Sequence, residues 1–286
     1  MLQSFRNTWK AARYLVTGKI DPNELYIVLG SLIKDERTGI PLVNMGYWKE
    51  IKNYKHIDLS LSNEKMFQLV ADGAQISEND EVVLDVGCGY SSNMIFCAQK
   101  YKAKKYLGLN LALEQIAVGN QFIEKFNLKD KVAIQYGSAL DMPFEAESID
   151  KMVSVEAAFH FPPRDAFFKE AHRCLKKGGI LSLSDLVIVP KTSWWEGVKL
   201  WSVKKGLHVP DANIYDIQTY KEKVEAAGFE VLSCESIAPN VVSHFFKWFW
   251  GRPKLELLQY NVLFSAGAFG FLFYPIDYVH IVARKK

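Results

Sequence analysis

The run Val82-Val83-Leu84-Asp85-Val86-Gly87-Cys88-Gly89-Tyr90-Ser91-Ser92 constrains this chain more than any other stretch. Its apolar-biased start, broken by one acid, reads as a buried strand, and the polar residues after the second glycine suit a helix start. Such a strand-to-helix turn lies over a bound ligand. Gly87 and Gly89 stand where the backbone must turn tightly and come close to something, which bare glycines allow. The dinucleotide fingerprint wants a third glycine three residues after the second, but that position is Ser92, so a nicotinamide reading is weakened. Asp85, two residues ahead of Gly87, is aimed at the same crevice. A carboxylate there suits a cationic group better than a pyrophosphate.

From Glu81 onward strand and helix patterns alternate at short spacing: strand 82–86, helix 91–101, strand 105–109, helix 112–126 and strand 131–136. A fourth strand at 149–155 leads into a helix expected from Pro162-Pro163 to Gly178-Gly179, and a fifth strand follows over 180–189. This alternation predicts a parallel sheet covered by helices on both faces. After Pro190 the pattern loosens through Trp194, Trp195, Trp201 and His208, then recovers as a helix over 216–227 and strands over 229–237 and 276–283. Ahead of the core, helices are expected over 2–16 and 24–34 and again over 62–73. The first is basic and amphipathic. Packing on its own domain is favoured over contact with a membrane surface. The loop Asn44-Met45-Gly46-Tyr47-Trp48 serves equally as core or as a lid over a ligand.

Composition narrows the partners. With 286 residues, 49% hydrophobic and 23% charged, the chain has the profile of a globular protein with one large core or a core plus a small cap. A net charge of +3 without dense basic runs argues against nucleic acid. Cys88, Cys97, Cys174 and Cys234 lack C-x-x-C spacing, so neither a metal site nor a disulfide framework is expected, and a reducing cytoplasmic setting fits. The apolar run Val262 to Tyr274 is too short to span a bilayer.

Taken together, Asp85-x-Gly87-x-Gly89, Gly108-Leu109-Asn110, Ser138-Ala139 before Leu140-Asp141-Met142-Pro143-Phe144, and Lys176-Lys177-Gly178-Gly179 resemble the class I S-adenosylmethionine-dependent methyltransferases. The match covers residues 80–190 in order. The Tyr47-Trp48 loop, the segment Ser154 to His160 and the aromatic cap are similar to the small-molecule branch, which includes sterol and tocopherol C-methyltransferases and natural-product O-methyltransferases. The resemblance implies an α/β, Rossmann-like seven-stranded sheet with the last strand antiparallel. It divides the chain into an N-terminal helical cover (1–60), a cofactor-binding core (61–190), and a cap with the last two strands (191–286). It implies S-adenosylmethionine as cofactor, held by Tyr47, Asp85, Gly87, Gly89, Asn110, Leu111, Gln115, Ser138, Ala139 and Glu156. Two positions depart from the commoner pattern. Asn110 stands where an acid usually grips the ribose, and Ser138 stands where an Asp usually reaches the adenine.

A sulfonium already activates its methyl group, so the protein's main task is to hold an acceptor atom in line inside a dry pocket. Trp194, Trp195, Trp201 and the rings of 245–250 are candidates to roof it. For a hydroxyl acceptor, His160 is the expected base, because it follows strand four on a loop facing the crevice and histidine titrates near neutrality. Glu156 closes strand four and faces either the cofactor or a cation on the acceptor. Oxygen methylation of a small, largely apolar molecule is favoured, with carbon methylation of an isoprenoid or lipid as the alternative. A non-catalytic nucleotide-binding or lipid-surface binding module is the competing class.

Overall fold

The computed structural model describes residues 26–189, 200–251 and 276–286, apart from 28, 32, 202, 203, 205 and 206. The expected helix over 2–16, Trp194, Trp195 and the apolar run 262–274 lie outside the described residues. In chain order the elements are α1 (His56–Gly73), β1 (Val82–Val86), α2 (Ser92–Lys100), β2 (Lys105–Asn110), α3 (Leu113–Lys125), β3 (Val132–Tyr136) and β4 (Ile149–Val155). They continue with α4 (Arg164–Cys174), β5 (Leu175–Ile188), α5 (Ile217–Ala226), β6 (Phe229–Ser236), α6 (Val242–Trp250) and β7 (Ile276–Lys285). Among the described residues the strands form one seven-stranded sheet in the order β3-β2-β1-β4-β5-β7-β6. β7 runs antiparallel to both β5 and β6, and the other pairings are parallel.

This order places the site. The chain works outward from β1 to β3 and then returns to lay β4 on the other side of β1, so the connections leave in opposite directions between β1 and β4. A crevice opens at the carboxyl ends of strands where the order reverses in this way. β1 ends there with Asp85 and Val86, and β4 ends there just before Glu156. β1 is buried because helices cover the two faces of the sheet, which is why it reads as a nearly continuous apolar run rather than an alternation. One face packs Leu84, Phe167, Phe168 and Tyr220, and the other packs Val70, Met94 and Tyr106. A third cluster joins Trp48, Met66, Phe159, Phe245, Trp248 and Tyr278. No helix among the described residues is long and apolar enough to cross a membrane.

The helix after strand four ends earlier than its glycines suggest. α4 stops at Cys174, and the chain passes directly into β5, where Leu175 pairs with Ile149. The register then slips before Ile180 meets Lys151. Gly178 takes φ 77°, and a Cβ on Gly179 would stand 2.9 Å from the Asp150 carbonyl oxygen. The Gly-Gly pair therefore serves an irregularity in a strand, a use that looks the same in sequence as a helix C-terminus.

Beneath the crevice lies a fully buried ion pair. Arg164 Nε is 3.2 Å from Asp185 Oδ2, with both side chains at 0% exposure. The guanidinium also donates to the carbonyls of Ala158 and Leu186 and stacks over the rings of Tyr215 and Tyr220. Asp185 accepts from the Phe159 amide and the Tyr220 hydroxyl. Asn213 donates to the carbonyls of Phe159 and Phe161. Through these bonds the short turn 158–161 is held from below on both its amide and carbonyl sides. Arg164→Met leaves Asp185 charged, dry and without its partner cation. It is expected to lower stability in urea denaturation by about 3–5 kcal/mol, where an exposed arginine would cost almost nothing.

Candidate active site

A cavity of about 330 Å³ opens at the carboxyl ends of β1, β2 and β4. The glycine loop forms its floor. The amides of Gly87 and Cys88 both donate to the Leu109 carbonyl, at 2.8 and 3.2 Å, which ties the loop to the neighbouring strand. Gly87 takes φ 76°, and a Cβ there would stand 2.5 Å from the Cβ of Ala157, so a larger residue meets the loop after β4 before it meets any ligand. Gly89 takes φ 52°, but a Cβ would find only Val43, at 3.8 Å, so its requirement is conformational.

Asp85 is 2% exposed, and its Oδ2 accepts from the Asn93 amide at 3.1 Å. Oδ1 is buried against the cavity and has no hydrogen-bond partner. Burial pushes the carboxyl up to about 7, against a smaller opposing pull from Asn93. A dry carboxylate oxygen without a partner is costly unless a cation meets it. Asn110 spends its two amide hydrogens on Gln115 Oε1, at 2.8 Å, and the Gly89 carbonyl, at 3.3 Å. That leaves its carbonyl oxygen as the group able to accept from a ribose hydroxyl. Ser138 turns its hydroxyl back to the Leu140 amide at 3.1 Å, while Ala139 and Leu111 join the lining. Leu111 is half exposed at the mouth.

The other end of the cavity carries Glu156, His160, His208 and Tyr26. Glu156 sits at φ 49°, a left-handed conformation that a non-glycine residue adopts at a cost and that recurs at functional sites. Its Oε1 accepts from the Met45 amide at 2.6 Å, and the Tyr278 hydroxyl lies beside it without completing a hydrogen bond. Burial raises the Glu156 carboxyl to about 7. His160 departs from its expected behaviour. Burial pushes the imidazole down to about 3, so the ring is neutral throughout the working pH range. Its Nδ1 lies 3.4 Å from the His208 carbonyl, which can only accept, so Nδ1 carries the hydrogen and Nε2 carries the lone pair. The Tyr26 hydroxyl donates to that lone pair at 2.6 Å.

The structure places Asp85, Gly87, Gly89, Asn110, Leu111, Gln115, Ser138, Ala139, Glu156 and His160 in the lining of this one cavity. Tyr47 lies elsewhere. Its amide donates to the Ser62 carbonyl and its ring packs on the cluster around Trp48, while Val43 and Asn44 of the same loop reach the lining instead. Phe245, Phe246, Trp248 and Phe249 are buried in that same cluster, so these rings are core and do not roof the cavity. Sequence reading missed Tyr26, Asn93 and His208. Asn93 was within reach as the second residue of the helix that follows the glycine loop. Tyr26 and His208 meet His160 across 134 and 48 residues, with no local signal.

An unpartnered buried carboxylate oxygen, an acceptor on Asn110 and a loop whose two glycines take positive φ together fit the ammonium, ribose and backbone approach of S-adenosylmethionine. When bound, that cofactor supplies a methyl group activated on sulfur. The fold and site are those of an S-adenosylmethionine-dependent methyltransferase. The sequence profile of the mycolic acid cyclopropane synthetase family matches residues 47–251, and the chain belongs to that family. It is 31% identical to erythromycin 3''-O-methyltransferase of Saccharopolyspora erythraea over 77% of this chain and 72% of that one. It is 28% identical to the sterol 24-C-methyltransferase ERG6 of Saccharomyces cerevisiae over 65% of this chain and 49% of that one. In fold it is similar to a geranyl diphosphate methyltransferase solved with geranyl diphosphate and sinefungin. The TM-score is 0.75 at 16% identity, over 98% of this chain and all of that one.

Because Asp85 holds a proton more tightly folded than unfolded, the unliganded protein loses stability from this group as pH rises from about 4 to about 7. An incoming ammonium favours the carboxylate, so cofactor binding at pH 6 should release a proton. Calorimetry of S-adenosylhomocysteine binding in two buffers of different ionisation enthalpy reads that release, and Asp85→Asn should reduce it along with affinity. A buffer-independent heat in the unmodified protein would place the ammonium elsewhere.

Proposed function

We propose that this methyltransferase acts on a hydroxyl oxygen of a small, largely apolar molecule. The observation that carries this reading is the His160 ring at the cavity edge, neutral and with its lone pair on Nε2. A depressed pKa does not disqualify it. A hydroxyl becomes strongly acidic as its oxygen takes up a methyl group, so even a weak base in a dry site accepts the proton as the new bond forms. The oxygen-directed relative at 31% identity supports the same reading.

A second reading, methylation of a carbon on an isoprenoid, sterol-like or lipid acceptor, is favoured by Glu156. A buried carboxyl in a strained backbone at the cavity faces a developing cation well, and the 28% identical relative is a sterol C-methyltransferase. Transfer of a 13C-methyl group to a panel of apolar alcohols and prenyl alkenes, followed by mass spectrometry, separates the two. For oxygen, His160→Ala should lower kcat roughly 10²–10⁴-fold with cofactor affinity nearly unchanged, and Glu156→Gln should be the milder change. A silent His160→Ala beside an inactive Glu156→Gln, with label on carbon, would overturn the oxygen reading.

A further inference from the structure

The lone pair assigned to take the acceptor's proton is already engaged. Tyr26 donates to His160 Nε2 at 2.6 Å, and the two rings meet edge to face at 5.4 Å. The contact is anchored. Tyr90, next to Gly89 of the cofactor loop, donates through its hydroxyl to the Tyr26 carbonyl at 3.1 Å, and its ring fills the space where a side chain on Gly30 would stand. Tyr26 and the described helical residues that follow it, through residue 31, are thereby pinned to the loop that lines the cofactor end of the cavity, and Tyr26 itself lines the cavity. While Tyr26 holds the Nε2 lone pair, an acceptor hydroxyl has no free lone pair on that nitrogen to bond to.

We propose that Tyr26 is a catalytic residue that relays the acceptor's proton to His160, an inference that rests on the oxygen-methylation reading. Its hydroxyl oxygen accepts a hydrogen bond from the acceptor hydroxyl while its own hydrogen points at Nε2. As the carbon–oxygen bond forms, sulfur keeps the electron pair of the breaking bond. The acceptor's proton moves to the Tyr26 oxygen and the Tyr26 proton moves to Nε2, leaving a neutral ether, a neutral tyrosine and an imidazolium that discharges to solvent on product release. Tyr26 ends each cycle unchanged, and the His208 carbonyl keeps the Nδ1 hydrogen in place throughout. Burial also pushes the Tyr26 hydroxyl well above its ordinary value, which suits a group that passes a proton on without resting as a phenolate.

Two measurements test this. In protein carrying 15N-histidine and bound to S-adenosylhomocysteine, Tyr26→Phe should shift the His160 Nε2 resonance and leave Nδ1 in place; an unmoved Nε2 signal would show that the bond is absent and overturn the proposal. In the alcohol panel, Tyr26→Phe should lower kcat about 10²-fold with the KM for cofactor within about twofold. The double variant with His160→Ala should be no slower than His160→Ala alone, because the two act as one unit. A Tyr26→Phe rate equal to or above that of the unmodified protein would overturn the relay and leave oxygen methylation standing. Label found only on alkene carbon would overturn both.

Discussion

A buried carboxylate next to the last residue of a central strand is the constraint around which this molecule is arranged. Asp85 emerges from β1 where the order of strands reverses, and its desolvated, unpartnered oxygen makes the crevice a site for a cation before any ligand arrives. The glycine loop follows from the same geometry. With Gly87 and Cys88 bonded to the end of β2 and Ala157 packed against the turn, no side chain has room at position 87. A ligand that enters there meets backbone on one side and charge on the other.

The acceptor end is held by different physics. The turn carrying His160 has no regular structure of its own beyond three residues, so its position is set from beneath by Arg164, Asp185 and Asn213. A buried ion pair of this kind contributes little net stability when intact and much instability when broken. Its value here is placement, since the same groups that neutralise one another also bond the backbone around His160. A rigid turn below and the Tyr26 segment above leave the imidazole in one tautomer and one orientation. That is what orientation-dependent catalysis requires of a protein whose reactive methyl group arrives already activated.

Much of this was legible in the sequence because it rests on local order. The period of apolar residues marked the strands, the Asp-x-Gly-x-Gly spacing marked the turn over the ligand, and the order of motifs between residues 80 and 190 marked the sheet and its cofactor. Misreadings arose where one local signal serves two structures. Gly178-Gly179 looks alike as a helix end and as a strand irregularity, and only the pairing of Leu175 with Ile149 separates them. A cluster of rings at 245–250 looks alike as a pocket roof and as a core helix, and only burial against Trp48 and Tyr278 decides it.

What the sequence determined by itself is the class of fold and the place of the glycine loop, because the strand pattern and the Asp-x-Gly-x-Gly spacing are written in consecutive residues. The tertiary structure alone decided the state of His160. Its lone pair, its neutrality and its partner depend on His208 and Tyr26, which reach it from distant parts of the chain, and on desolvation, which is a property of the packed interior and of no local pattern.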